Sequence, residues 1–438
     1  MGPMLRRIEL SRGKRLAEAG WARTGGIDAE VLGAAARIVE DVRQRGDAAL
    51  LEYTATFDKA QLTDVRVSDA EVEAAVASVG EPFLAAIATA AAAIEDFHRR
   101  QVPQSWFAAQ DGGVFLGQQV TPLRRVGVYV PGGRACYPSS VLMNAIPAFV
   151  AGVEEIAMVV PPRPDGSVDP FTLAAAAEAG LTEIYKVGGA QAVAALAYGT
   201  RSIPAVDKIT GPGNAYVTAA KKLVMGDVGI DMLAGPSEVL VLADDTAEPA
   251  FVAIDLMAQA EHDPRASTYL VTTDPSLPDE VEAALDALLE DAVRGDVIRL
   301  SLTDHGLIVV CPDLDVAVDV ANEIAPEHLE VMCAEPFELL GSLRCAGAIF
   351  LGHWTPESVG DYVAGPNHVL PTGGTARFSG PLSVDDFVKK TSVISYSYDA
   401  LAFDAATVVT IAEAEGLDAH ARAVTLRLEL AAGDEGDQ

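Results

Sequence analysis

A chain of 438 residues, half of them hydrophobic, can bury large cores, so intrinsic disorder is excluded and length alone sets a soft expectation of about three units. Lys and Arg number 31 against 63 Asp and Glu, a net charge of −32 that repels phosphate backbones and anionic lipid heads. No nucleic acid and no membrane surface is therefore expected as a partner, and the basic pairs Arg99-Arg100, Arg124-Arg125 and Lys221-Lys222 read as solvated helix ends or strand edges.

In chain order, Met1-Gly2-Pro3-Met4-Leu5-Arg6-Arg7 has no apolar segment behind its arginines and Arg6 where a myristoylation signal needs Ser or Thr. Residues 27–100 read as helical: Asp28 suits an N-cap, Val31, Ala35, Ile38, Val39 and Val42 recur at helical spacing, and a second helix falls near 82–100. From residue 124 the pattern changes to short β-branched runs, each followed by a glycine-rich turn and an alanine-rich helical stretch, as in parallel βα units. The runs are 126–130, 156–160, 184–187, 208–210, 239–243, 269–272, 307–310 and 348–351. Two open sheets are preferred to one barrel because Ala234-Gly-Pro-Ser-Glu238 breaks the series, and right-handed crossovers then place helices on both faces.

Residues 383–433 read as two helical segments with a strand-like run at 393–398, a tail too small for a core of its own and so expected on a partner subunit. The last residues, 433–438, read as a solvated acidic end. No stretch reaches the roughly 18 apolar residues of a membrane helix, since 141–160 is broken by Asn144, Pro147, Glu154 and Glu155. A soluble, cytoplasmic enzyme or binding protein is the expectation. Cys311, Cys333 and Cys345 border apolar runs and read as core, whereas Cys136 follows the Gly132-Gly133 turn but has no local base to activate it.

Chemistry is sought at the carboxyl ends of the strands. Tyr-Val-Pro-Gly-Gly at 129–133, Gly-Gly-Ala-Gln-Ala at 188–192 and Thr-Gly-Pro-Gly-Asn at 210–214 each link a strand to a helix, so their N–H groups suit an anion or nucleotide. None fits G-x-G-x-x-G, and a purely structural turn explains each equally well. In Gln259-Ala-Glu-His262-Asp-Pro264, Gln259 and His262 lie one turn apart on a helix about to be stopped. That pattern fits either a helix end or, with Asp361 and His420 elsewhere, a mixed nitrogen and oxygen site for zinc or a similar cation. Ala-Pro-Glu327-His328-Leu-Glu330 reads as a helical turn whose carboxylate and imidazole point about 100° apart, an ordinary helix start or an acid–base pair.

Taken in order, these motifs, with Ala-Gly-Pro-Ser-Glu at 234–238, Gly-Asp-Tyr-Val-Ala-Gly-Pro-Asn-His at 360–368 and a late Glu-Gly-Leu-x-x-His at 415–420, resemble histidinol dehydrogenase over residues 124–420. The resemblance implies a zinc enzyme, one Zn²⁺ per subunit, that oxidises L-histidinol through the aldehyde to L-histidine with two NAD, the last step of histidine biosynthesis. It implies Gln259, His262, Asp361 and His420 as zinc ligands that also meet substrate, Glu327 and His328 as the acid–base pair, Ser237, His368 and Glu415 as further substrate contacts, and Tyr129, Gln191 and Asn214 at NAD. It implies an α/β fold of two incomplete Rossmann-like parallel-sheet domains plus small helical C-terminal tail domains, as a homodimer with shared sites. The expected boundaries are 1–123 for an N-terminal helical region, 124–235 for the NAD side, 236–381 for the zinc and catalytic side, and 382–438 for the dimer-forming tail. The alternatives are a zinc hydrolase using Glu327 without redox chemistry, a noncatalytic ligand-binding protein, or a relative acting on another amino or sulfo alcohol.

Overall fold

The computed structural model describes residues 4–23, 26–132 and 136–434, so Gly133 of the first glycine turn and the final acidic residues 435–438 lie outside it. Contacts divide the chain into two compact units, Met1–Gln101 with Leu123–Phe387, and Val102–Pro122 with Val388–Gln438.

The first unit holds two separate parallel sheets, not a barrel. One has the strand order Glu183–Lys186, Glu155–Val160, Arg125–Tyr129, Lys208–Thr210, Gly229–Ile230. The other runs Arg6–Glu9, Gly306–Val310, Ser267–Thr272, Glu238–Ala243, His328–Met332, Ala348–Leu351. All eight expected strands are present. Three more were not anticipated: the edge strand Arg6–Glu9, the two-residue Gly229–Ile230, and His328–Met332, which replaces the expected helical turn at Glu327-His328. Charged residues at 327, 328 and 330 hid the alternation of Leu329 and Val331, which pack with Leu240 and Leu242 in the core on one sheet face. Met332 joins Val239, Val241, Leu256 and Met257 on the other.

Four helices, Ala29–Arg45, Asp47–Phe57, Asp69–Ser78 and Glu81–Arg99, precede the sheets. Asp28 caps the first, accepting the N–H groups of Glu30 and Val31 at 2.7 and 3.3 Å. Two of the basic pairs depart from the solvated reading. Arg125 is buried against Glu155 and Glu183, and Lys221 is buried against Asp231, each beside a carboxylate that offsets its lost hydration. Only Arg99 and Arg100 behave as read, pairing with Glu95 and Asp96 on an exposed face.

The Lys221–Asp231 pair holds the glycine turn after strand Lys208–Thr210. Lys221 Nζ donates to the Gly211 carbonyl at 3.0 Å, and Gly211 N–H donates to Asp231 at 2.8 Å. Gly211 has φ +109°, and a Cβ there would stand 2.0 Å from the Tyr129 carbonyl oxygen, so backbone crosses backbone where no side chain fits.

In the second unit Val388–Tyr396, Val114–Pro122 and Trp106–Gln110 form an antiparallel sheet, followed by helices Tyr398–Ala414 and Asp418–Asp434. The N-terminal region is thus not helical to residue 123, and the tail carries a nine-residue strand besides its helices. Trp106–Gln110 is exposed throughout, so no buried face gives it a readable alternation. Among the described residues no single helix is long and apolar enough to cross a membrane.

Gly211→Ala is expected to destabilise the fold by at least about 2 kcal/mol, since it adds a disfavoured φ to a backbone clash. Denaturant unfolding checks this, and an unchanged midpoint contradicts the crossing geometry.

Candidate active site

Two periodicities meet in the second sheet. His328 and Glu330 lie on the same face of a strand, about 6.6 Å apart. Facing them, helix Pro249–Ala260 presents Asp255 and Gln259, one turn or about 6 Å apart. The spacings match, so each polar group finds a partner: Gln259 Oε1 stands 3.0 Å from His328 Nδ1, and the Asp255 and Glu330 carboxyls share a hydrogen bond. All four residues are buried. Two carboxyls in such a place share a proton, because burial raises Asp255 to about 6 and carries Glu330 well above the usual carboxyl range.

His328 Nδ1 also lies 3.2 Å from the Glu238 carbonyl. Both neighbours are acceptors, which assigns the hydrogen to Nδ1 and leaves Nε2 as the basic atom. Nε2 is buried without a hydrogen-bond partner among the described residues, 3.8 Å from Asp361 Oδ1. Burial alone pushes this imidazole down, but without a cation the carboxylates of Glu357, Glu327 and Asp361 outweigh it and raise it to about 10, so that both nitrogens then carry hydrogen; a dication held at Asp361 would offset those charges and free Nε2 as a base. Glu327, just before the strand, accepts the Glu238 N–H at 2.9 Å, and burial raises it to about 8.

Asp361 reaches the site from helix Glu357–Tyr362. His368 Nδ1 donates to the Asp361 carbonyl at 3.1 Å, and its Nε2 lies 3.5 Å from Ser140 Oγ in the first sheet's half of the unit. Pro147 helps explain that approach. It has no N–H for the Met143 carbonyl one turn before it, and Asn367 Nδ2 fills the gap at 2.6 Å. The loop bearing His368 is pinned to helix Pro138–Ala151 in this way.

Sequence reasoning missed Glu357. It is buried, and ligand atoms of His262, Glu357 and Asp361 all lie within 4.8 Å of one another. A glutamate after Pro356 carries no motif, so only the fold reveals it. His262 itself is exposed at the rim, just past the carboxyl end of helix Pro249–Ala260, where the helix dipole favours a cation. Imidazole, carboxylate and amide oxygens together suit a borderline dication such as zinc.

These groups sit at the amino ends of Glu238–Ala243 and His328–Met332, not at carboxyl ends as expected. The helix that returns from the first of these strands delivers Gln259 and His262 to that edge. In the first sheet Tyr129, Gln191 and Asn214 do lie at the carboxyl ends of strands. Tyr129 ends its strand, and its hydroxyl accepts the Gly189 N–H at 3.0 Å. Gln191 is in the first turn of Gly189–Tyr198, a helix without a side-chain cap, and its buried Oε1 has no partner among the described residues. Asn214 caps Ala215–Val224 through the N–H groups of Tyr216 and Val217.

Ser237 is half-buried beside Glu238. Glu415 and His420 belong to the second unit, where both are exposed. Cys136 is exposed, Cys311 and Cys333 are buried as expected, and Cys345 is only partly so.

The family model described as histidinol dehydrogenase matches residues 22–428. The chain belongs to the histidinol dehydrogenase family. A histidinol dehydrogenase of Halalkalibacterium halodurans is 56% identical over 392 residues, covering 90% of this chain and 92% of that one. One from Syntrophotalea carbinolica is 56% identical over 396 residues with the same coverage. The crystal structure of histidinol dehydrogenase from Elizabethkingia anophelis superposes with a TM-score of 0.93 at 37% identity, covering 98% and 99% of the two chains. Family membership makes the chain an oxidoreductase with the α/β architecture described above.

Asp255 at about 6, Glu357 at about 7, Glu327 at about 8 and the still higher Glu330 all exceed their unfolded values, chiefly through burial. The folded state therefore binds the extra protons, and stability falls as pH rises through these values. His98 and His368, lowered by burial, act in the opposite sense only up to their ordinary 6.5. Calorimetry of chelator-treated protein should show a melting temperature that declines from pH 6.5 to 8; a rise over that interval contradicts the buried acid cluster.

Proposed function

We propose that this chain, a histidinol dehydrogenase, oxidises L-histidinol through the aldehyde to L-histidine with reduction of two NAD, and that His328 is its proton acceptor. The observation that carries the reading is the His328 imidazole itself, with Nδ1 committed to Gln259 and Glu238 and a bare, buried Nε2.

Gln259, His262 and Asp361 are the proposed zinc ligands of this unit. Zinc held by these residues would supply a fixed point of attachment for the nitrogen groups of the substrate, a template more than a source of reactivity. Tyr129, Gln191 and Asn214 are the proposed NAD contacts, supported by the uncapped helix Gly189–Tyr198 and the unpartnered Gln191 oxygen. Ser237 and His368 border the substrate.

His328 Nε2 takes the hydroxyl proton while the alcohol carbon gives its hydride to NAD, leaving the aldehyde. As water adds to the aldehyde carbon, ionised Glu327 takes its proton and His328 Nε2 returns the first proton to the carbonyl oxygen, which forms the hydrate and frees Nε2 again. His328 receives the hydroxyl proton of the hydrate as the second hydride leaves for a second NAD, and the acid results.

The half of the unit around the first sheet is assigned to NAD, the half around the second to zinc and catalysis, and the tail to dimerisation. Glu415 and His420 are proposed to complete the site of a second copy. Their exposure supports this, as does the apolar surface on the tail, where Phe403 is 86% and Leu430 65% exposed. Such a biosynthetic enzyme is assigned to the cytoplasm.

Incubation with histidinol and NAD should give two reduced nicotinamides per histidinol, lost on chelation and restored by zinc; zinc-loaded, folded protein that forms none refutes the function. His328→Ala should lower turnover by roughly 10²- to 10⁴-fold with histidinol binding kept. Glu327→Gln should slow aldehyde oxidation more than alcohol oxidation, and equal losses in stopped-flow assays of the two stages contradict its assignment to water.

A further inference from the structure

We propose that Glu357 is a positioning residue for His328: its carboxylate holds the Nδ1 edge of the ring and so keeps Nε2 turned toward the substrate. The proposal rests on His328 being the proton acceptor.

Four oxygens surround Nδ1. Gln259 Oε1 and the Glu238 carbonyl, at 3.0 and 3.2 Å, are neutral and accept its hydrogen. Two are carboxylate oxygens, Glu357 Oε2 at 3.7 Å and Glu327 Oε2 at 3.9 Å. Glu327 Oε2 is already occupied by the Glu238 N–H. Glu357 Oε2 is buried with no hydrogen-bond partner among the described residues, so the N–H edge of His328 is left to attract it. An orphaned buried oxygen is costly unless the site uses it.

The placement of Glu357 is itself secured. Its backbone N–H donates to Glu330 Oε1 at 2.6 Å, and Glu330 is hydrogen-bonded to Asp255 in the wall beneath. Glu330 lies two residues beyond His328 on the same strand face. One strand thus carries both the imidazole and the carboxyl that fixes its neighbour, so the two move together. The resulting order, a reacting nitrogen on one side of an imidazole and a carboxylate against the other, is that of bases oriented by a third group.

Glu357 also stands within 4.8 Å of the ligand atoms of His262 and Asp361, so a metal-ligand role is the competing assignment. The test is Glu357→Gln in the full-length, zinc-loaded protein, after the parent has been shown to oxidise histidinol, so that a failure of the function itself is seen first. We expect kcat to fall roughly 10- to 100-fold, as for partners that orient a working imidazole. KM for histidinol, zinc content by mass spectrometry and melting temperature should stay at parent values. Alcohol and aldehyde oxidation should slow together, since His328 takes a proton in both, unlike the staged effect expected of Glu327→Gln.

Parent-like kcat overturns the proposal. So does loss of bound zinc, which makes Glu357 a ligand, and so does a kcat loss that merely follows a drop in melting temperature. If Glu357→Gln does not accumulate as folded protein, Glu357→Asp, which keeps the charge and withdraws it by one methylene, is read on the same scale: reduced kcat at parent KM and zinc content supports the proposal, and parent kcat overturns it.

Discussion

The site depends on a match of lengths between one helix and one strand. Polar side chains on the buried face of a central strand are tolerable only if each meets a partner. Here two strand residues advance nearly as far as one helical turn, so Gln259 meets His328 as Asp255 meets Glu330. Slipping the strand by one residue would turn Leu329 and Val331 toward the helix and bury His328 and Glu330 in the opposite apolar layer, with no partner in the present arrangement. The register that assembles the candidate site and the register that folds the sheet are therefore the same constraint.

That constraint also accounts for the edge at which the chemistry lies. A helix leaving the carboxyl end of a strand runs back across the sheet, and its own carboxyl end arrives at the amino edge. Gln259 and His262 are delivered there with the negative end of a helix dipole behind them. The first sheet works the other way round: Tyr129, Gln191 and Asn214 stand where strands end and helices begin, and the positive ends of those helices suit an anion. The two halves of the unit thus present opposite electrostatic ends, one suited to a cation and one to a phosphate, and the Asn367–Met143 hydrogen bond holds His368 of one against Ser140 of the other.

Much of this was legible in the residues. The β-branched runs located eight strands, and the break at 234–238 correctly argued for two sheets. Glu327, His328, Gln259, His262, Asp361 and His368 were singled out by motif order, not periodicity, and the fold brings them near one another. What escaped had physical causes. His328–Met332 carries three acid or imidazole groups in and beside it, and a one-dimensional pattern cannot distinguish a buried polar strand face from a solvated helix turn. Lys221 and Arg125 read as surface charge because their carboxylate partners lie 10 to 58 residues away. Val114–Pro122 pairs with a strand some 270 residues later, and its other neighbour, Trp106–Gln110, is exposed throughout and leaves no alternation to read.

Glu357 shows most clearly where such reading stops. Nothing in Thr-Pro-Glu-Ser marks a functional carboxylate, and its neighbours in sequence are ordinary turn residues. Its surroundings come from two distant segments and its own helix: on one strand Glu330 fixes its backbone and His328 faces its side chain, while His262 and the helix's own Asp361 stand close by. A residue whose role is to orient another derives its meaning wholly from the thing oriented. Candidate reacting residues such as His328 can announce themselves by type, whereas a group proposed to hold one is an ordinary residue set apart by burial and by the absence of any other hydrogen-bond partner.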